Sequence, residues 1–239
     1  MNRLIKILLM FGVVVLSSQV NAAFTLNGTR FIYDESNKNI SIKVSNESNL
    51  TFGGQVWVSN FERDDEGVYF IPSPSFFKVD GNQKQIIRIM KVNNGLPKDR
   101  ESLFWINVQE VPPMPDVEGG SSSLAIAMNI QVKLIYRPDS IKKLRENAEQ
   151  KVRIIKEGNN ILLDNPTPFF FAVSGILFDG EYVNVTSCAD GDDKKISRLA
   201  PFSKVCIYGV ESLTKPKTVS IEAINDFGGK QLYEISMVM

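Results

Sequence analysis

From Leu124 to Arg137 the chain alternates: Leu124, Ile126, Met128, Ile130, Val132, Leu134 and Tyr136 fall on one parity, and Ala125, Ala127, Asn129, Gln131, Lys133, Ile135 and Arg137 on the other. A period of two places successive side chains on opposite faces of a β-strand, whereas a helix needs a period near 3.6 to bury one side. The run is long for a strand, whose usual length is about 5–6 residues. Its apolar face can pack inward, or part of it can serve a partner, because an exposed strand edge can extend another protein's sheet.

The same period recurs. Asn39–Ser45, Gln55–Val58, Gln85–Ile89, Leu103–Val108, Lys151–Ile155, Phe169–Val173 and Thr218–Ala223 read as strands. Asp80-Gly81-Asn82, Asn93-Asn94-Gly95, Asp179-Gly180 and Phe227-Gly228-Gly229 supply turns between them. Short strands at this spacing predict an all-β sandwich or barrel. The helical exception is Ser140 to Gln150, where Ile141, Leu144 and Ala148 share a face. Pro138 disfavours helix at the residue before it, so the domain boundary is placed there. That gives domains 23–138 and 139–239, each close to an immunoglobulin-like sandwich in size.

Residues 1–22 read as an address. Arg3 and Lys6 are the only charges before Phe24, an apolar stretch runs from Ile7 to Leu16, and Val20-Asn21-Ala22 ends the segment on small residues. This is the pattern of a secretory signal peptide cleaved after Ala22, and the apolar stretch is too short to span a bilayer. No later run reaches spanning length, so no membrane span is expected. Export to an oxidising compartment makes the pair Cys188 and Cys206 read as a disulfide across neighbouring strands, with two buried thiols as the alternative.

Lysine plus arginine equals aspartate plus glutamate at 27 each, which gives no basis for nucleic-acid binding by bulk charge. The chain has no histidine, which removes Ser-His-Asp and Cys-His hydrolases and HExxH zinc enzymes. Two cysteines cannot complete a zinc site alone. Asp64-Asp65-Glu66 and the Asp190–Asp193 run lack the calcium-loop spacing and read as solvated turns. No cofactor, metal or catalytic residue is expected, and the carboxylates nominate no hydrolytic pair.

The stretch Ile126 to Pro138 closely resembles the signature strand of the periplasmic pilus chaperones of the chaperone–usher pathway. Gly28-Thr29-Arg30-Phe31-Ile32-Tyr33 resembles that family's opening strand, and Leu96 to Met114 its most recognisable block. Asn165-Pro166-Thr167-Pro168, Leu199-Ala200-Pro201 and Asn225-Asp226-Phe227-Gly228-Gly229 follow in order as landmarks of its second domain. The resemblance spans nearly the whole chain after residue 22.

It implies two immunoglobulin-like domains set in an L around a cleft. It also implies a non-enzymatic periplasmic chaperone that caps fimbrial subunits one-to-one by donor-strand complementation and passes them to an outer-membrane usher. Leu124, Ile126, Met128 and Ile130 would fill the subunit's groove, with Val132 and Leu134 turned to the chaperone's own interior. Arg30 and Lys133 would grip the subunit's C-terminal carboxylate, although each alone reads as a solvated strand charge. Glu101, Arg137 and Asp226 would form an interdomain ion cluster, although alone they read as unrelated surface charges. The short stretch from Pro112 to Ser123 would place the chain in the short-loop subclass. A self-capping homodimer would cover the donor strand in the free protein. The competing class is an exported structural or adhesive immunoglobulin-like protein, which needs an anchor, a sorting signal or a polymerising extension; none is legible.

Overall fold

The computed structural model describes residues 23–61, 67–114, 126–188, 193–209 and 216–238. The signal-peptide reading, Leu124, the acidic runs 64–66 and 190–192 and most of the Pro112–Ser123 stretch lie outside them.

The N-terminal domain contains β1 (Phe24–Leu26), β2 (Arg30–Asp34), β3 (Ile40–Asn46), β4 (Phe52–Asn60), β5 (Phe70–Ser73), β6 (Phe76–Val79), β7 (Lys84–Lys91), β8 (Ser102–Val111) and β9 (Asn129–Arg137). They form two facing sheets, β1-β3-β7-β5 and β2-β9-β8-β4-β6. Alternation supplies the core. Ile42, Val44, Ile87 and Ile89 of one sheet meet Val56, Phe104, Ile106, Val132 and Leu134 of the other, all buried.

The C-terminal domain contains β10 (Arg153–Glu157), β11 (Asn160–Asn165), β12 (Ala172–Phe178), β13 (Glu181–Val183), β14 (Thr186–Ser187), β15 (Ser203–Tyr208), β16 (Val219–Ile224), β17 (Lys230–Glu234) and β18 (Ser236–Val238). Its sheets are β14-β15-β11-β10-β18 and β13-β12-β16-β17, around a separate core that includes Ile154, Leu163, Phe169, Ile207 and Ile221. Two immunoglobulin-like sandwiches therefore account for the chain. Among the described residues no helix is long and apolar enough to cross a membrane.

Cys188 and Cys206 are bridged, with Cα atoms 5.3 Å apart, and the Cys188 N–H donates to the Cys206 carbonyl at 3.1 Å. The bond holds the short edge strand β14 against β15. At a sequence separation of 18, it contributes about 3 kcal/mol in the chain-entropy picture.

Three local readings need correction. The Ser140–Gln150 helix reduces to one turn, α1 (Asp139–Lys142), and a 3-10 turn over Ala148–Lys151, with Asn147 in the left-handed region between them. Ile141 and Ala148 are buried, but Leu144 is exposed. Phe169–Phe171 is not a strand. The Asn165 side chain accepts from the Thr167 N–H and hydroxyl and donates to the Phe169 carbonyl, turning the backbone before β12 begins. Over its described part, residues 126–137, the run is not one strand: 126–128 precede β9. Regular pairing with β8 starts at Asn129, opposite Gln109, and beyond it the Glu110 N–H donates to the Met128 carbonyl at 2.9 Å.

Candidate functional site

The chain leaves one sandwich sheet for the other between Leu26 and Arg30. β1 pairs with β3, whereas β2 joins the opposite sheet, parallel to β9. In that parallel register Arg30 is the partner of Lys133, so residues distant in sequence present two cations side by side.

The switch has a second consequence. β2 covers only Lys133–Arg137 of β9, while β8 pairs with Asn129–Tyr136. Among the described residues no strand pairs with the other edge of Asn129–Val132. The open backbone edge therefore ends where the two cations stand. Unpaired strand edges of this kind are templates for an added strand.

Side chains grade along the segment that leads into β9 and through it. Ile126 and Met128 are 66% and 44% exposed, Ile130 is half-buried against the N-terminal core, and Val132 and Leu134 are buried. Ile130 thus already contributes to the N-terminal core, because it lies over the sandwich interior. Behind the edge, Gln131 donates to Asn107 Oδ1 at 2.9 Å and Asn107 donates to Ser59, tying β9 to β8 and β4.

Arg30 and Lys133 line a cleft between the domains, facing Phe170, Phe171, Ala172 and Arg198. The cleft continues as a groove of about 510 Å³ past Trp105, Gln131, Ser174 and Ile224. Arg30 Nη1 donates across the boundary to the Ile224 carbonyl at 2.7 Å, and its buried Nε has no partner. Burial lowers the pKa of Arg30, with Asp226 opposing and Arg145 adding to the effect. Burial also pushes Lys133 down to about 8, with Arg30 and Arg198 acting in the same direction. A carboxylate fits this place chemically: it can accept from an arginine fork and a lysine together, and its charge relieves the crowding of cations.

The far end of β9 reaches the second domain. Arg137 Nε donates to Glu101 Oε1 and Arg137 Nη1 to Asp226 Oδ2, both at 2.7 Å. Glu101 Oε2 accepts the Phe170 N–H at 2.8 Å. Burial pushes Glu101 up to about 7 against the pull of Arg137. Burial acts upward on Asp226 too, but Arg137 and Arg145 outweigh it and hold that carboxyl below its ordinary value. The β16–β17 turn presents Asp226. Gly228 takes φ +87° there, and a Cβ on it would come within 3.1 Å of Thr29 Oγ1, so the turn packs against the residue before Arg30.

Residues 23–142 match the family described as pili and flagellar-assembly chaperone, PapD N-terminal domain, and residues 147–235 match the pili assembly chaperone PapD C-terminal domain. The chain belongs to the pilus-assembly chaperones. It is 44% identical over 235 residues to the Escherichia coli chaperone protein FanE, covering 98% of each chain. It is 33% identical to the E. coli chaperone protein FaeE, covering 98% of this chain and 87% of that one. Among solved structures it resembles the Pseudomonas aeruginosa CupB2 chaperone, with a TM-score of 0.69 at 27% identity, over 88% of this chain and 98% of that one. It also resembles a Salmonella enterica structure of the SafA pilin in complex with the SafB chaperone, with a TM-score of 0.68 at 25% identity, over 91% and 97%.

The chaperone's ion cluster is larger than the sequence reading of Glu101, Arg137 and Asp226. Arg145 also donates to Asp226 at 3.1 Å and forms a bidentate pair with Glu149. Both Arg137 and Arg145 stand over the Phe169 ring. The Arg145–Glu149 spacing of four was a legible hint, but a short polar segment offered no reason to aim it at Asp226. Arg198 was missed too, because it closes a polar run that reads as a solvated turn. Among the described residues no group of carboxylates or cysteines is placed to hold a metal ion.

Proposed function

We propose that this pilus-assembly chaperone works in the periplasm by lending the open half of β9 to a fimbrial subunit and seating the subunit's C-terminal carboxylate on Arg30 and Lys133. The observation that carries the reading is the coincidence of two features: β9 loses its neighbour at Lys133, and the cation pair stands at that point. A subunit strand added there takes the place that β1 vacates when it crosses to the other sheet. With its carboxyl end at Lys133, the added strand runs parallel to β9. Its backbone groups gain partners along Asn129–Val132, and Ile126 and Met128 enter the subunit's apolar groove, with Leu124 next in the alternation. Ile130 is shared between that groove and the chaperone's core. Glu101, Arg137 and Asp226 hold the domains at the angle that keeps the cleft open. A capped subunit is then passed to an outer-membrane usher, and a homodimer covers the donor edge when no subunit is bound.

Co-expression with a fimbrial subunit tests the core of this reading. The expected product is a soluble one-to-one complex, with the subunit degraded or aggregated when the chaperone is absent. A subunit equally soluble without the chaperone, or no complex with any co-encoded subunit, would overturn it.

A further inference from the structure

We propose that Arg198, on the second domain, is a third binding residue for the subunit's terminal carboxylate, so that the anchor is closed by both domains rather than built on the first alone. The inference rests on the carboxylate-anchor reading above and deepens it. Arg198 ends the 3-10 turn Asp193–Arg198. Its backbone is fixed by the next residue: buried Leu199 exchanges hydrogen bonds with Phe171 at 2.9 and 3.0 Å. From there the guanidinium crosses the domain boundary and stands 4.6 Å over the ring of Phe61 in the first domain. Phe61 packs edge-on against Trp105, whose ring centre is 5.6 Å away, and Trp105 is the β8 register partner of Lys133. This chain of contacts brings Arg198 to the wall shared with Arg30 and Lys133, and into the adjoining groove beside Gln131.

The electrostatics agree with the placement. The two charged groups that depress Lys133 are Arg30 and Arg198, so Arg198 is close enough to act on the lysine's charge. Arg30 and Lys133 repel one another on this half-buried wall, and a carboxylate seated between them and Arg198 relieves that repulsion. An arginine that only kept the surface soluble would extend into water. Here one face of the guanidinium lies on an aromatic ring, which fixes its orientation, and the planar fork suits a carboxylate. A carboxylate has room for such a set, since its two oxygens offer about four acceptor sites.

The test uses the mature chaperone and the C-terminal strand peptide of a subunit that co-purifies with it, synthesised as the free acid and as the amide. Wild type should bind the acid at least about tenfold more tightly than the amide, as expected for hydrogen bonds to a charged group. Arg198→Ala should weaken acid binding about tenfold and leave amide binding unchanged, so the acid-to-amide preference falls. Arg198→Gln, which keeps length and polarity, serves as the second variant and should fold like wild type while losing the same preference. Arg198 variants that keep the full preference, or that weaken acid and amide equally, would overturn the role of Arg198 and leave the Arg30–Lys133 anchor standing. Equal binding of acid and amide by wild type would instead remove the anchor itself, and this inference with it.

Discussion

Lys133 stands among cations in a half-buried place, and this sets a condition on binding. Its pKa is pushed down to about 8 by burial and then by Arg30 and Arg198. A bound carboxylate favours the ammonium and raises that value again. Subunit affinity should therefore be flat below about pH 7 and fall as pH rises above 8, by about tenfold per pH unit until the pKa of the complex is reached. The stability of the free chaperone should move the opposite way. The folded pKa lies below the ordinary lysine value of 10.5, so between the two the unfolded chain binds more protons and stability rises with pH. Titration calorimetry and denaturant melts from pH 7 to 10 give both slopes. Lys133→Met should remove both, whereas Lys133→Arg should bind with no slope in this range, because arginine stays charged. A wild-type affinity that does not change between pH 7 and 10 would show that Lys133 does not hold the carboxylate.

At the scale of the element, β9 changes role along its length. Ile126 and Met128 face solvent ahead of the strand, whereas Val132 and Leu134 are core. Ile126→Asp or Met128→Asp should leave the thermal melt within about 0.5 kcal/mol of wild type, since surface changes rarely cost more. The same changes should abolish subunit capture, because a carboxylate entering an apolar groove costs several kcal/mol. Leu134→Asp should fail to fold, and Ala127→Asp, on the other parity, should still capture. Pull-down of a co-expressed subunit, with a melt of each variant, reads the gradient; equal loss at 126 and 127 would refute the face assignment. The gradient also marks what sequence can and cannot carry. Alternation along Leu124–Arg137 exposes the strand and its inward parity. The point where regular pairing with β8 begins, and the open edge that follows from β1 crossing between sheets at Asn27–Thr29, leave no periodic trace. Strands as short as β13, β14 and β18 hold too few residues for a period to appear. Phe169–Phe171 misleads because aromatic composition resembles a strand, while the Asn165 side chain, which makes the turn, lies outside the run. The Arg30–Lys133 pairing comes from a parallel register between distant segments, so only resemblance to relatives could point to it.

At the scale of the whole molecule, β9 starts as a donor edge and ends in the joint between domains. Arg137 is its last residue, and its side chain, only 7% exposed, meets Glu101 of the first domain and Asp226 of the second. The two ends are coupled by position, because Arg30 and Lys133 stand on one domain while Ile224 and Arg198 stand on the other. Removing Arg137 alone leaves the 1%-exposed carboxyl of Glu101 without its counter-ion, although Asp226 keeps Arg145. Arg137→Ala should therefore cost about 3–5 kcal/mol in a denaturant melt, the scale for breaking a buried pair from one side. A buried pair replaced from both sides by matched uncharged groups is often neutral in stability. Glu101→Gln combined with Arg137→Met keeps the acceptor for the Phe170 N–H and the bulk over Phe169, and should recover stability to within about 1 kcal/mol of wild type. If the network serves to set the angle between domains, the double variant should still capture subunits poorly. It would be stable, with Arg30, Lys133 and the β9 edge intact, but with the second domain no longer held at Asp226. Small-angle scattering should then report a broader interdomain distribution than wild type. A double variant that regains both stability and capture would show that the cluster contributes only to stability, and that the domain angle is fixed elsewhere, with the Arg30–Ile224 hydrogen bond the next contact to remove.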